Sequence, residues 1–190
     1  MKLIIQMPCY DEEVALPVTL SQLPKHIDGI DEIEVLISDD GSTDRTIEIA
    51  KSYGVNHIVT STHHRGLAKT FLAGLQRSIA EGADIIVNTD ADNQYCADDI
   101  EKLVKPIIEN KADIVIGARP IKQIKEFSLF KKLLQFFGSK VVRLLSSTAT
   151  DDAPSGFRAF SRDAALSINV FDNYTYTIET VIQSKIKGLH

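Results

Sequence analysis

Cysteines are scarce in this chain, and long apolar runs are missing. Its 190 residues include only Cys9 and Cys96, which lie far apart and lack the spacing of a metal site. We therefore expect free thiols in a reducing compartment. No apolar stretch is long enough to cross a bilayer, and the first residues form a strand-like segment without the features of a signal peptide. These observations predict a cytoplasmic location, which includes the inner face of the membrane.

Excess positive charge is also absent. The formal net charge is -5 and the pI is near 5.5, whereas general nucleic-acid binders usually have a basic surface. We therefore expect no nucleic-acid partner. Residues 121–145 nevertheless carry six lysines and arginines against one glutamate, among many apolar residues. This segment could be a core helix with solvated lysines, or an interfacial helix that makes peripheral contact with an anionic membrane.

Two common nucleotide-binding motifs are missing as well. Neither Gly-x-Gly-x-x-Gly nor Gly-x-x-x-x-Gly-Lys-Ser/Thr follows a predicted strand, which argues against dinucleotide oxidoreductases and P-loop enzymes. No internal repeat is evident. With 44% hydrophobic residues, the chain is long enough for one buried core. We expect a single domain over residues 1–190, truncated at its C-terminal end because no strand follows the last predicted helix.

Strand-like and helix-like segments alternate along the chain. Short apolar runs rich in β-branched residues indicate strands, and apolar residues at helical spacing separate them. This rhythm predicts an α/β fold of three layers, α/β/α, with a mainly parallel central sheet and right-handed crossovers. A shorter strand is expected shortly after residue 156, followed by a helix that Ser161 could cap. The five main strands are predicted at residues 3–7, 33–37, 57–60, 85–87 and 114–117.

Polar residues follow four of these strands. In open parallel sheets, ligands bind beyond the carboxyl ends of the strands. We therefore expect these residues to meet along one edge of the sheet. They are the segment 8–12, the pair Asp39 and Asp40, the segment 90–94 and Arg119.

The segment 90–94 carries the clearest metal chemistry. Asp90 and Asp92 are two residues apart, so in extended geometry their carboxylates point the same way. With the amide of Gln94 they offer hard oxygen ligands suited to Mg²⁺ or Mn²⁺, and Mg²⁺ usually completes its shell with water and substrate phosphates. The alternative is a solvated turn with a helix-capping acid. His63 and His64 lack a second ligand at metal spacing, which indicates a surface loop.

Four segments, in order, resemble motifs of the family 2 glycosyltransferases with the GT-A (Rossmann-like) fold. Within that family they are most similar to the polyprenyl-phosphate branch, which includes dolichyl-phosphate mannose synthases. One departure is Asp11, where the family usually has asparagine. The four segments are Met7 to Glu13, Ser38 to Asp44, Thr89 to Gln94 and Asp152 to Arg158.

The resemblance implies a hexosyltransferase that moves a sugar, with inversion, from a GDP- or UDP-sugar to an acceptor. The acceptor would be a polyprenyl phosphate or another lipid phosphate, or a saccharide. Asp152 would orient the acceptor, or act as a base if the nucleophile is a hydroxyl. The other implied roles are donor binding by Pro8, Tyr10, Glu12, Asp39, Asp40, Asp90 and Arg119, metal binding by Asp90, Asp92 and Gln94, and contacts to acceptor or phosphate by Ser155, Gly156 and Arg158.

Simpler roles stay open for several of these residues. Asp39 and Asp40 could cap the helix that follows, where Ser42, Thr43 or Asp44 could also serve. Tyr10 could be a packed loop aromatic rather than a surface on which the base stacks. The two arginines, at positions 119 and 158, could form ordinary ion pairs instead of bidentate phosphate contacts.

Two other functions compete with glycosyl transfer. A Mg²⁺-dependent phosphatase of the haloacid-dehalogenase type also places Asp-x-Asp at a strand end, but its motif normally follows the first strand. Here the motif follows the fourth. The chain could also be a noncatalytic or inactive nucleotide-binding fragment. Nucleotide binding with and without Mn²⁺, followed by a transfer assay, separates these possibilities.

Overall fold

The computed structural model describes residues 1–118, 152–171 and 175–190. In these ranges the first five strands alternate with helices, as the rhythm of the sequence predicts, and a sixth strand and two more helices follow. The strands are β1 Lys2–Cys9, β2 Glu32–Asp39, β3 His57–Thr60, β4 Ile85–Asn88, β5 Ile114–Ile116 and β6 Arg158–Ser161. The helices are α1 Leu16–Gln22, α2 Thr46–Ser52, α3 Leu67–Ala80, α4 Asp99–Ile108, α5 Arg162–Ser167 and α6 Thr177–Ile186.

The strands form one sheet in the order β3-β2-β1-β4-β6-β5. β1, β2, β3 and β4 pair in parallel, and β6 is antiparallel to both β4 and β5. The predicted mainly parallel sheet is therefore confirmed. The placement of β6 between β4 and β5 was not predicted, and it brings Arg158 directly opposite Asn88.

Both faces of the sheet are covered by helices, which confirms the three layers. Alternate residues of β1 point to opposite faces. Leu3 and Ile5 pack in one cluster with Leu103 and Val104 of α4. Ile4 packs in the other cluster, which contains Phe71 and further residues of α3 and α5. The sheet is thus buried on both faces, and we expect a ligand site at one of its edges.

Local signals bear on the starts of α1 and α2. α1 has Pro17 in its first turn, where a missing backbone N–H costs nothing. For α2, neither Ser42 nor Thr43 is the cap. The Asp44 carboxylate instead accepts a hydrogen bond from Thr46 N at 2.9 Å. Ser42 Oγ accepts from Asp11 N at 2.9 Å and so joins two loops at the sheet edge.

In the described ranges, no helix combines the length and apolar composition that crossing a bilayer requires. The basic segment 121–145 and Arg119 lie outside the described residues. The predictions made for them, a membrane contact and a donor contact, stay predictions.

Candidate functional site

The carboxyl ends of β1 and β4 open onto a cleft, together with the loop that follows β2 and the start of α3. Six of the residues predicted to bind donor or metal line it. The residues lining the cleft are Pro8, Cys9, Tyr10, Glu12, Asp40, His64, Leu67, Thr70, Asp90, Ala91 and Asp92. The structure thus brings together loops that are far apart in sequence and that were expected to share one edge.

Asp90 and Asp92 project from the end of β4 into this cleft. Asp90 is half-buried and Asp92 is exposed. Asn93, with φ at 60°, turns the chain so that Gln94 N donates to Asp92 Oδ1 at 3.1 Å. The Gln94 side chain is exposed and does not line the cleft. Only its backbone is tied to the acidic pair.

The carboxylates fit a divalent cation that shares its shell with a ligand. Among the described residues, no three His, Cys, Asp or Glu side chains converge on one point. Two carboxylates would leave positions for phosphate oxygens and water, which is the usual situation for Mg²⁺. Burial raises the pKa of the Glu12 carboxyl, and repulsion from Asp92, Asp44 and Asp90 raises it further. A bound cation would relieve this repulsion.

Asp39 and Asp40 organise two different loops. Asp39 is buried, and its carboxylate accepts from Gly41 N and Ser42 N, each at 3.2 Å. It does not line the cleft. The Asp40 carboxylate accepts from Arg65 N and Gly66 N, both at 2.8 Å. Neither acid caps α2, so that alternative does not describe their place in the structure.

Tyr10 is not a packed loop aromatic. Its side chain is 44% exposed at the cleft, and its ring contacts the ring of His64 with centroids 4.4 Å apart. His64 Nδ1 lies 2.9 Å from Asp40 Oδ2. The sequence indicated only a surface loop for His64. No local signal could have shown that this loop folds over the first strand end.

The loop 152–157, which is predicted to meet the acceptor, is stabilised by hydrogen bonds from the side chain of Arg158. This side chain is fully buried. Its Nε donates to Ser155 O and its Nη1 to Thr177 O, both at 2.7 Å, and Nη2 donates to Ala153 O. Burial lowers the pKa of the guanidinium to about 10. The expected phosphate contact is therefore corrected: Arg158 is an internal support of the loop.

Gly156 brings this loop against the Asp90 carboxylate. A Cβ at position 156 would lie 3.0 Å from Asp90 Oδ1 and 3.1 Å from the Tyr176 hydroxyl. The Gly156 carbonyl accepts from Asn88 Nδ2 at 2.8 Å and from Tyr176 Oη at 3.3 Å. A side chain at position 156 would thus crowd Asp90 and Tyr176, and both would have to shift by a few tenths of an ångström.

The remaining acceptor-side residues are buried in the same loop. Asp152 is 1% exposed and its carbonyl accepts from Ser155 N at 3.0 Å. The Ser155 hydroxyl accepts from Phe157 N at 3.3 Å. Both residues shape the loop in this structure, and their predicted contacts to an acceptor stay predictions.

Several known proteins are similar to this chain. A UDP-N-acetylglucosamine–dolichyl-phosphate N-acetylglucosaminyltransferase of Methanococcus voltae is 33% identical over 177 residues, covering 83% of this chain and 68% of the relative. An undecaprenyl-phosphate mannosyltransferase of Micrococcus luteus is 28% identical over 176 residues, covering 90% and 70%.

A solved structure confirms the predicted GT-A fold. Glucosyl-3-phosphoglycerate synthase from Mycobacterium tuberculosis, in complex with Mn²⁺, UDP and glucosyl-3-phosphoglycerate, superposes with a TM-score of 0.75 at 19% identity. The match covers 98% of this chain and 66% of that one, so this chain spans about two thirds of its length. The family model for glycosyl transferase family 2 matches residues 4–168. The chain therefore belongs to glycosyl transferase family 2.

Proposed function

We propose that the protein is an inverting hexosyltransferase that moves a sugar from a UDP- or GDP-sugar to a polyprenyl phosphate. The observation that carries this proposal is the contact between the two halves of the site. Asp90, on the donor side, lies against Gly156 of the loop predicted to meet the acceptor. The two relatives named above share a lipid-phosphate acceptor but differ in the sugar, so the acceptor class has the stronger support.

The donor would lie in the cleft with its base near Tyr10 and its diphosphate near Asp90 and Asp92. The exposed Tyr10 ring offers a stacking surface. The two carboxylates would hold Mg²⁺ or Mn²⁺, with Gln94 acting directly or through water. When bound, the cation supplies Lewis acidity that neutralises the leaving nucleoside diphosphate.

Transfer would be one in-line displacement at the anomeric carbon. A phosphate oxygen of the acceptor forms the new bond to this carbon, and the sugar–diphosphate bond breaks with its electron pair leaving on the diphosphate. A lipid phosphate is already ionised, so little proton abstraction is required. Buried Asp152 would orient the acceptor loop, and would act as a base only toward a hydroxyl acceptor.

The test is a transfer assay with UDP- and GDP-hexoses, undecaprenyl phosphate in detergent, and Mn²⁺ or Mg²⁺. We expect a glycosylated lipid phosphate and free nucleoside diphosphate, both lost on adding a chelator. Nucleotide binding without transfer to any acceptor would favour the noncatalytic fragment. Release of inorganic phosphate from a small phosphate ester, without sugar transfer, would favour the phosphatase.

A further inference from the structure

We propose that His64 is a donor-binding residue whose Nε2 accepts a hydrogen bond from an N–H or O–H group of the nucleoside. The inference rests on the proposed function and extends it to a residue that the motifs do not contain. His64 lines the same cleft as Tyr10, Glu12 and Asp90. Its ring meets the Tyr10 ring at an angle of 49°, so the two rings together form one wall of the cleft.

The backbone of His64 is fixed by the loop that follows β2. Asp40 accepts hydrogen bonds from the next two backbone N–H groups, of Arg65 and Gly66. Gly41, with φ at +83°, packs so closely that a Cβ there would lie 3.0 Å from the His63 carbonyl carbon and 3.2 Å from His64 N. The position of the imidazole is thus set by its neighbours before any ligand binds.

The contact with Asp40 also determines which ring nitrogen of His64 can accept. The Asp40 side chain is 4% exposed and lies 2.9 Å from Nδ1, while the His64 side chain is 59% exposed. A carboxylate repels the lone pair of an unprotonated ring nitrogen, so the nearby charge of Asp40 favours the tautomer with the proton on Nδ1. In the neutral imidazole Nε2 is then the acceptor. Asp40 is accordingly a positioning residue that acts through His64.

Nucleosides supply the complementary donors. Uracil and guanine each carry ring N–H groups, and the ribose carries hydroxyl groups. The diphosphate and the cation that it binds carry neither a ring N–H nor a ribose hydroxyl for Nε2 to accept from. Recognition of the nucleoside by His64 therefore predicts that substituting His64 weakens the binding of nucleotides but not the binding of inorganic pyrophosphate.

The experiment measures the dissociation constants of UDP, GDP and inorganic pyrophosphate by calorimetry in the presence of Mn²⁺. The variants are His64→Ala, His64→Phe and the matched control His63→Ala, whose ring instead contacts Thr62 Oγ1 at 3.0 Å and does not line the cleft. Losing one hydrogen bond should weaken the preferred nucleotide roughly 5- to 10-fold in both His64 variants. Pyrophosphate binding, and all binding by His63→Ala, should change less than about twofold.

Three results would overturn the inference. Unchanged nucleotide affinity in His64→Ala would show that His64 makes no contact with the nucleoside. Wild-type affinity in His64→Phe would show that Nε2 accepts no hydrogen bond from it. Equal weakening of pyrophosphate shows that the effect does not come from the nucleoside. If wild-type protein binds neither nucleotide, the proposed function itself fails, and this inference fails with it.

Discussion

Asp92 combines a central place in the cleft with a small role in packing. It is exposed just beyond the end of β4, and its Oδ1 accepts a hydrogen bond from Gln94 N. Asparagine keeps that acceptor and the side-chain volume. We therefore expect Asp92→Asn to abolish metal-dependent donor binding while the free energy of unfolding changes by less than about 0.5 kcal/mol.

Calorimetry with UDP or GDP and Mn²⁺ measures this loss, and thermal unfolding checks the fold. The control is Asp28→Asn, which removes one negative charge from a highly exposed side chain elsewhere. Metal-dependent binding that survives in Asp92→Asn would show that this carboxylate is not a metal ligand.

Substitution of Gly156 tests how closely the loop 152–157 packs against Asp90. Alanine would place its Cβ 3.0 Å from Asp90 Oδ1, and the crowded carboxylate would have to move. We expect Gly156→Ala to weaken Mn²⁺ binding about tenfold or more and to destabilise the protein by about 1–3 kcal/mol. Electron paramagnetic resonance of Mn²⁺ and urea unfolding measure the two effects.

Pro154→Ala is the control for Gly156→Ala, because Pro154 is an exposed residue of the same loop. It should leave Mn²⁺ affinity unchanged. If Gly156→Ala binds Mn²⁺ with wild-type affinity, the close approach of Gly156 to Asp90 does not affect metal binding.

Single residues were predictable from the sequence only where a motif fixes them. The acidic pair after β4 and the aromatic after β1 were expected in one site, and both line the cleft. Arg158 was misjudged, and the contacts of His64 were missed, because their neighbours are distant in sequence: Thr177 O for the guanidinium, Asp40 for the imidazole. Arginine is an exposed-type residue, so burial cannot be inferred without its acceptors.

At the scale of elements, hydrogen bonds from Arg158 connect β6 to the loop before it and to the start of α6. One side chain reaches backbone carbonyls at 153, 155 and 177. Lysine keeps a positive charge but lacks the planar fork, so buried carbonyls would lose their donors. We expect Arg158→Lys to lower the free energy of unfolding by about 2–4 kcal/mol, measured by urea denaturation.

Arg162→Lys is the matched control for Arg158→Lys. Arg162 lies four residues further along, is half-buried, and donates to two carbonyls, Ile79 O and Ala83 O. Its substitution should be less destabilising. Wild-type stability of Arg158→Lys, combined with a raised KM for the acceptor, would restore the phosphate contact first expected for this arginine.

The elements themselves followed from sequence more readily than their arrangement. Apolar runs and helical spacing located β1 to β5 and most helices, since those signals are local. The antiparallel pairing of β6 with β4 joins Ile85 to Ser161 and Asn88 to Arg158. Such pairing depends on contacts between distant segments, and no period in the sequence records it. The place of β6 in the sheet therefore required the structure.

At the scale of the whole molecule, a group of ionic contacts joins three strands at the edge opposite the cleft. Glu34 of β2 accepts from Lys2 of β1 at 2.7 Å and contacts His57 of β3 at 2.8 Å. Burial of Glu34 opposes ionisation, but the hydrogen bonds from Lys2 and His57 outweigh it and lower the pKa of this carboxyl below 4.5. Three strands thus share one ionised carboxylate.

A lowered pKa gives the contribution of Glu34 to stability a definite pH dependence. The contribution is fully present above the ordinary pKa of 4.5 and is lost as the pH falls through the lower value in the folded state. We expect Glu34→Gln to destabilise the protein by about 1 kcal/mol at pH 7 and progressively less below about pH 4.5.

Urea denaturation between pH 3 and pH 7 measures this difference. Glu48→Gln, at an exposed position of α2, is the control and should show no comparable pH dependence. A destabilisation by Glu34→Gln that stays constant over the whole range would mean that the loss comes from packing rather than from charge.

The bond between Gly117 and Phe157 has a consequence for how this protein can vary. Gly117 N donates to Phe157 O at 2.8 Å, immediately beyond the paired residues Ile116 and Arg158. The end of β5 and the start of β6 are therefore adjacent on the cleft side of the sheet. Because this bond and the β5–β6 pairing fix both points, the register of β5 against β6 is set by these local contacts and not by the number of residues that separate the two strands in sequence.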